Sequence, residues 1–177
     1  MNCNYIDILS NKNDNDELRA NKMLLTQAVM LAIPGIPGIY IHSLIGSQNY
    51  YEGVEKSGIN RRINREKLDF DTLQHELKDK DSLRNMVYSN YKTLLHIRTS
   101  EKAFNPFGKA SYSAIQKSIF VIKREFENQT IFAVFNFGNK SIKINALSKT
   151  VFDLIHKKEI KEDTWEIKPY NFVWYKS

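Results

Sequence analysis

Residues 36–41 read Ile-Pro-Gly-Ile-Tyr-Ile, a short apolar run set among Pro34, Gly35, Pro37 and Gly38. A run of that length between turn residues suits a strand buried on both faces, as in a parallel sheet. Such a strand needs neighbours on both edges and helices on both sides. No other stretch before Asp79 reads as a comparable strand. The first half of the chain is therefore expected to lack most of its packing partners, as one helix–strand–helix piece of a larger α/β fold.

The flanks agree. Residues 4–10 read as the tail of a loop or a short helix. Asp14 or Asp16 is expected to cap a helix of about fifteen residues that ends near Leu31. Leu18, Leu25, Ala28, Val29 and Leu31 give it an apolar face, and Pro34 stops it. Beyond the run comes a long polar loop, 42–78, and α/β folds place their binding sites on such loops at strand ends. His42 sits just past the expected strand. As a lone histidine it reads equally as a packed residue or a ligand contact. Asn49, Tyr50, Tyr51 and Glu52 offer the amide groups and aromatic faces that suit a sugar, or simply an ordered surface loop.

The sharpest local signal is Ile-Asn-Arg-Arg-Ile-Asn-Arg-Glu-Lys at 59–67. Arg61, Arg62 and Arg65, beside Asn60, can offer forked donors to a phosphate or a carboxylate. Helical spacing would set Arg61 and Arg65 on one side and turn Arg62 away. A single-stranded nucleic acid would also suit arginines near Tyr50 and Tyr51. Against that reading, Asp69, Asp71, Glu76 and Asp79 follow closely and no nucleic-acid-binding module is recognisable.

Residues 67–78 are expected to form one short helix or two. A longer one runs from Asp79 or Asp81 to about Thr99, with Leu83, Val87, Tyr91, Leu94 and Leu95 at helical spacing. The stretch 104–110 breaks the pattern, and beyond it the period changes to alternation. Strands are expected over 118–126 and 130–137 as a hairpin, then in 141–147, 150–155, 164–167 and 171–175. They make a small antiparallel β-domain with one face buried, its core formed by Phe120, Ile122, Phe132, Val134 and Phe152. The expected division is 1–103 and 104–177.

Composition narrows the function. Lys and Arg number 26 against 20 Asp and Glu, a net charge of +6 spread along the chain, which favours anionic ligands. The lone Cys3 excludes an internal disulfide framework and fits a reducing cytoplasm. The N-terminus does not read as a secretion signal, and the longest apolar run is too short for a bilayer. His42, His75, His96 and His156 are too scattered for metal-ligand spacing. Neither a membrane nor a metal is expected.

Four stretches in the right order carry a resemblance: residues 4–32, 35–49, 57–67 and 94–108. Together they resemble the last barrel strand, its loop and the flanking helices of sucrose phosphorylase-type enzymes in the α-amylase family, glycoside hydrolase family thirteen. The resemblance implies an α+β fragment: the last helix–strand–helix part of a (β/α)8 barrel, then an amylase-type antiparallel β-domain. A whole barrel takes roughly 250 residues. It implies a parent that moves a glucosyl group from sucrose or a related α-glucoside to inorganic phosphate, retaining configuration, without metal or organic cofactor. It carries a phosphate- and acceptor-site role to Arg61, while Arg65 is expected to brace the loop through a carboxylate. His42, Asn49 and Asn60 complete the candidate contacts. Retaining glycoside chemistry needs two carboxylates about 5 Å apart. The family supplies them from earlier strands, and no match to those motifs is found here. The chain is thus expected to lack catalytic residues and to depend on the missing N-terminal barrel portion. A hydrolase or transglucosidase of the same family, and a non-catalytic β-domain remnant, are the alternatives.

Overall fold

Two units account for the chain in the computed structural model, which describes residues 2–177. One joins the residues up to Leu24 with Gly38–Tyr91; the other joins Leu25–Pro37 with Lys92–Ser177. No helix among the described residues is long and apolar enough to cross a membrane.

The first unit is helical. It holds α1 (Tyr5–Leu9), the start of α2 (Asp16–Ala32), α3 (Ile41–Leu44), α4 (Tyr51–Ser57), a 3₁₀ turn at Asn60–Asn64, α5 (Phe70–Lys78) and the start of α6 (Leu83–Ser100). The cap of α2 is Asn15 rather than either aspartate, since its side-chain oxygen accepts from Leu18 N at 2.9 Å. Asp14 instead pairs with Lys22 at 2.5 Å. Asp69 caps α5 through Thr72 N at 2.9 Å. Ile6, Ala20, Met23, Leu83 and Val87 form the buried cluster of this unit. Leu83, Val87, Tyr91 and Leu94 are buried as the helical spacing required, whereas Leu95 is half-buried.

The chain turns after α3 at Gly46, whose φ is +61°. A Cβ at Gly46 would lie 2.9 Å from Val87 Cγ2, so left-handed backbone and close approach both demand glycine. Gly46→Ala is expected to cost about 1–3 kcal/mol, read as a lower urea midpoint at unchanged slope.

The expected strand at 36–41 is not formed. Residues 36–40 carry no regular structure and Ile41 opens α3. Tyr40 keeps extended dihedrals (φ −83°, ψ 133°), so the backbone is strand-like but has no ladder. Ile36, Ile39, Tyr40 and Ile41 are exposed, Ile36 at 89%. A strand exists only through hydrogen bonds to a neighbour, and none of the described residues pairs with this segment.

The second unit carries eight antiparallel strands: β1 (Lys109–Gln116), β2 (Ile119–Phe126), β3 (Gln129–Asn136), β4 (Ile142–Asn145), β5 (Val151–Asp153), β6 (Lys158–Ile160), β7 (Thr164–Ile167) and β8 (Asn171–Lys176). Six form one sheet in the order β1-β2-β3-β8-β5-β6, and β4 pairs with β7. The β2–β3 hairpin turns at Glu127, whose φ is +52°.

Both faces of the central strands are buried, where one was expected. On one face Ile119, Val121, Val134, Val173 and Tyr175 meet Ile144, Trp165 and Ile167 of the β4–β7 pair. On the other, Ile122, Ile131, Ala133, Phe135 and Trp174 are buried, and Trp174 packs on Phe104 at 4.8 Å. Of the expected core, Ile122 and Val134 are fully buried, while Phe120 and Phe132 are half-buried. Phe152 faces outward at 39% exposure, because β5 turns Val151 and Asp153 inward. The Asp153 carboxylate is satisfied there by Ile155 N at 2.9 Å, His156 N at 3.0 Å and His156 Nδ1 at 2.8 Å.

Candidate functional site

The loop between α3 and α5 is pinned to the N-terminal helices by polar contacts within the first unit. Asn4 is buried; its backbone N–H donates to Asn49 Oδ1 at 2.6 Å, and its Nδ2 donates to Gln48 O at 2.6 Å. The Asn49 backbone N–H donates to Asp7 Oδ2 at 2.5 Å, and Asp7 in turn pairs with Arg19 at 2.7 Å. Tyr50 N–H donates to Ile63 O at 2.8 Å and Tyr40 Oη donates to Asn64 O at 2.8 Å, fixing both sides of the 3₁₀ turn. Asn49 Nδ2 donates to Tyr51 Oη at 3.2 Å. Both ends of the Asn49 amide are thus engaged in holding the loop.

Arg61, Arg62, Arg65 and Lys67 converge on one cavity of about 390 Å³, with Tyr50 and Ile59 completing its wall. Arg62 was expected to point away. In a 3₁₀ turn positions three apart lie over one another, so Arg62 and Arg65, joined by an N–H···O bond of 3.1 Å, come to the same side. No carboxylate lies within ion-pair distance of these four cations among the described residues, and none lines the cavity. Arg65 therefore does not brace the loop through an acid. Four unpaired cations around one hollow can hold a phosphate or a carboxylate. The cavity has no carboxylate to act as nucleophile or acid. Asn60 is exposed at the start of the turn and does not line it. Gly53 lets the Tyr50 ring lie against α4, since a Cβ there would meet Tyr50 Cε1 at 2.1 Å.

The bracing falls to Arg84, at the start of α6. It donates to Ser47 Oγ at 2.8 Å and pairs with Glu76 at 2.6 Å and Glu66 at 3.5 Å. Sequence reasoning passed over Arg84, because a lone arginine opening a helix gives no signal of partners eight, eighteen and thirty-seven residues away. Ser47 Oγ also lies 2.9 Å from Nδ1 of the buried His42. Burial holds the His42 pKa below the ordinary imidazole range; Glu66 opposes that shift and Arg84 adds to it. Neutral His42 then accepts at Nδ1 from the Ser47 hydroxyl, whose oxygen accepts from Arg84.

The unfolded chain therefore binds the His42 proton more tightly than the folded one. Stability is full above the ordinary imidazole pKa of about 6.5 and falls as pH drops below it. His42→Gln is expected to flatten that fall between about pH 7 and pH 5.5, checked by urea midpoints across the range.

No protein-family model matches the chain. An α-amylase from Geobacillus thermoleovorans, solved with acarbose, shares the fold at a TM-score of 0.71 and 14% identity, over 99% of this chain and 36% of that one. The chain thus shares its fold with part of that α-amylase. Among relatives, a glucosylglycerate phosphorylase of Spirochaeta thermophila is 42% identical over 130 residues, 73% of this chain and 22% of that protein. The glucosylglycerate phosphorylase of Escherichia coli is 33% identical over 177 residues, 99% of this chain and 32% of that one. A sucrose phosphorylase of Agrobacterium vitis is 31% identical over 108 residues, 59% of this chain and 19% of that one. The chain is similar to the C-terminal portion of these sugar phosphorylases, and its fold is that of the α-amylase family, glycoside hydrolase family thirteen. It spans about a fifth to a third of the length of these relatives.

Proposed function

We propose that this chain supplies the phosphate- and acceptor-binding loop of a retaining sugar phosphorylase, which transfers a glucosyl group from an α-glucoside to inorganic phosphate. The observation that carries this reading is the cavity ringed by Arg61, Arg62, Arg65 and Lys67 with no acid to neutralise them. Phosphate held there attacks the anomeric carbon of a glucosyl–enzyme ester. The bond from that carbon to the enzyme carboxylate breaks, the carboxylate leaves with the electron pair, and glucose 1-phosphate is released. Arg61 and Arg65 hold the phosphate oxyanions, and Tyr50 offers an aromatic face to the sugar. His42 and Asn49 shape the loop from beneath, and Asn60 stands at its rim. The nucleophile and the acid/base come from the N-terminal barrel portion, so the chain alone turns over no sugar, and the reaction takes place in the cytoplasm. No metal or organic cofactor takes part.

The donor we favour is glucosylglycerate, the substrate in the names of two of the relatives, with sucrose as the second reading. The test incubates the full-length parent with each α-glucoside, with and without phosphate. Glucose 1-phosphate forming only with phosphate, and from glucosylglycerate, is the expected result. Free glucose released at one rate whether or not phosphate is present would make the parent a hydrolase.

A further inference from the structure

The larger sheet of the second unit ends in two edges of opposite character. β6 closes one end; it is three residues long and carries the exposed Lys158 and Glu159. β1 closes the other; it is eight residues long and exposed along nearly its whole length. Short length, charge, proline and bulges are the usual means of keeping a sheet edge from pairing. β1 has no proline, its one charge is Lys109 at the first residue, and its bulge lies at the far end, between Ala114 and Gln116. The stretch Ala110–Ala114 between them has no such protection.

The ladder fixes where the free backbone groups point. Phe137 N–H donates to Ser118 O at 2.9 Å, continuing the β2–β3 register, so the even-numbered residues of β2 bond to β3. Bonding direction alternates along a strand, so the odd-numbered residues Val121, Lys123 and Glu125 bond to their β1 partners Ser113, Ser111 and Lys109. Ala110, Tyr112 and Ala114 therefore direct N–H and C=O away from the sheet, where no strand among the described residues meets them.

The residues of this stretch, Ala110-Ser111-Tyr112-Ser113-Ala114, read the same in both directions about Tyr112. A second copy related by a two-fold axis at Tyr112 runs antiparallel to the first and meets it like for like. Tyr112 then faces its own copy, Ser111 faces Ser113, Ala110 faces Ala114, and Lys109 faces Ile115, so no like charges are opposed. Tyr112 is 54% exposed, and its ring already lies parallel to Phe120, with centres 6.3 Å apart and planes within 7°. The second tyrosine extends that stack, and aromatic cross-strand pairs stabilise antiparallel strands. We propose that β1 is an interface with a second copy of this chain, the two sheets joining edge to edge as one through Tyr112. The contact is self-complementary and closes at two copies. A single edge strand buries less than a standard interface, so the association is weak.

The test follows the whole 177-residue chain by sedimentation velocity and amide hydrogen exchange, from about 10 µM to about 1 mM. A monomer–dimer equilibrium with a dissociation constant of about 10–100 µM is expected. Over the same range exchange is expected to slow several-fold at Ala110, Tyr112 and Ala114, while Ser111 and Ser113, already bonded to β2, hold their rates. Tyr112→Lys sets like charges opposite each other and is expected to weaken the dimer at least about tenfold. Tyr112→Glu is expected to do the same, and an equimolar mixture of the two variants to recover most of the loss. Neither substitution removes a bond to β2, so the fold is kept. A chain that stays monomeric at the highest concentration, a dimer undiminished in Tyr112→Lys, a mixture no tighter than its components, or growth beyond two copies would overturn the proposal. So would protection arising at Ile39 and Tyr40 together with β1, because the unpaired 36–41 segment of another copy would then be the occupant.

Discussion

Arg61→Ala in the full-length parent is expected to lower kcat/KM for phosphate by about 10²–10³, the usual loss when one preorganised donor to an oxyanion is removed. The argument rests on what the side chain has to do in the resting protein. Arg61 has no acid partner, and the loop that carries it is held by contacts other than its own: Tyr50 N to Ile63 O, Tyr40 Oη to Asn64 O, and Arg84 to Ser47, Glu66 and Glu76. Truncating it therefore leaves the scaffold intact and removes a donor. Arg61→Lys keeps the charge but loses the fork, so it is expected to recover only part of the loss. Initial rates at varied phosphate measure both variants. Hydrolytic release of glucose, which uses no phosphate, serves as the internal control. A loss within about twofold, on the same scale of transition-state stabilisation, would remove Arg61 from the anion site.

What could be read from the sequence, and what could not, follows from how far each contact reaches. Helices α2 and α6 were legible because their apolar residues recur every three or four positions and are buried as that period requires, Leu83 to Val87 to Tyr91 among them. The β2–β3 hairpin was legible for the same kind of reason, since strong alternation brackets a polar turn at Glu127. Strand β1 was missed because Lys-Ala-Ser-Tyr-Ser-Ala-Ile-Gln lies at a sheet edge, almost wholly exposed, and carries no apolar alternation. Strand β6 is three residues long, too short to show a period. Phe152 was placed inside on its side-chain type, but β5 is a three-residue strand whose partner β8 sets the register, and that register is not a local property. The same holds for the site. Arg61 and Arg65 stood out as a cluster, but the 3₁₀ geometry that brings in Arg62 depends on Tyr50 and Tyr40 anchoring the turn from elsewhere in the loop.

Trp174→Ala is expected to destabilise the β-domain by about 3–5 kcal/mol, the range for removing a fully buried tryptophan. Trp174 is 0% exposed, sits on β8 opposite Ala133 of β3, and packs on Phe104 at 4.8 Å. Ala133 is too small to move into the vacated space, so the cavity stays open and the transfer and cavity terms add. Trp174→Phe isolates the packing from the polar atom. The indole N–H has no hydrogen-bond partner among the described residues, so phenylalanine loses volume but no bond, and its cost is expected to stay near 1–2 kcal/mol. Both variants retain Trp165, which lies on the opposite face of the sheet, 4.6 Å from Tyr175. Its fluorescence during urea unfolding reads the second unit alone, because the chain's two tryptophans both belong to that unit. A large fall in the Trp165 midpoint on Trp174→Ala would mean that the two faces unfold together as one sandwich. A Trp165 midpoint that holds while amide exchange rises around Phe104 and Ala133 would mean that the Phe104 face opens separately, and the predicted loss from this transition would then be wrong.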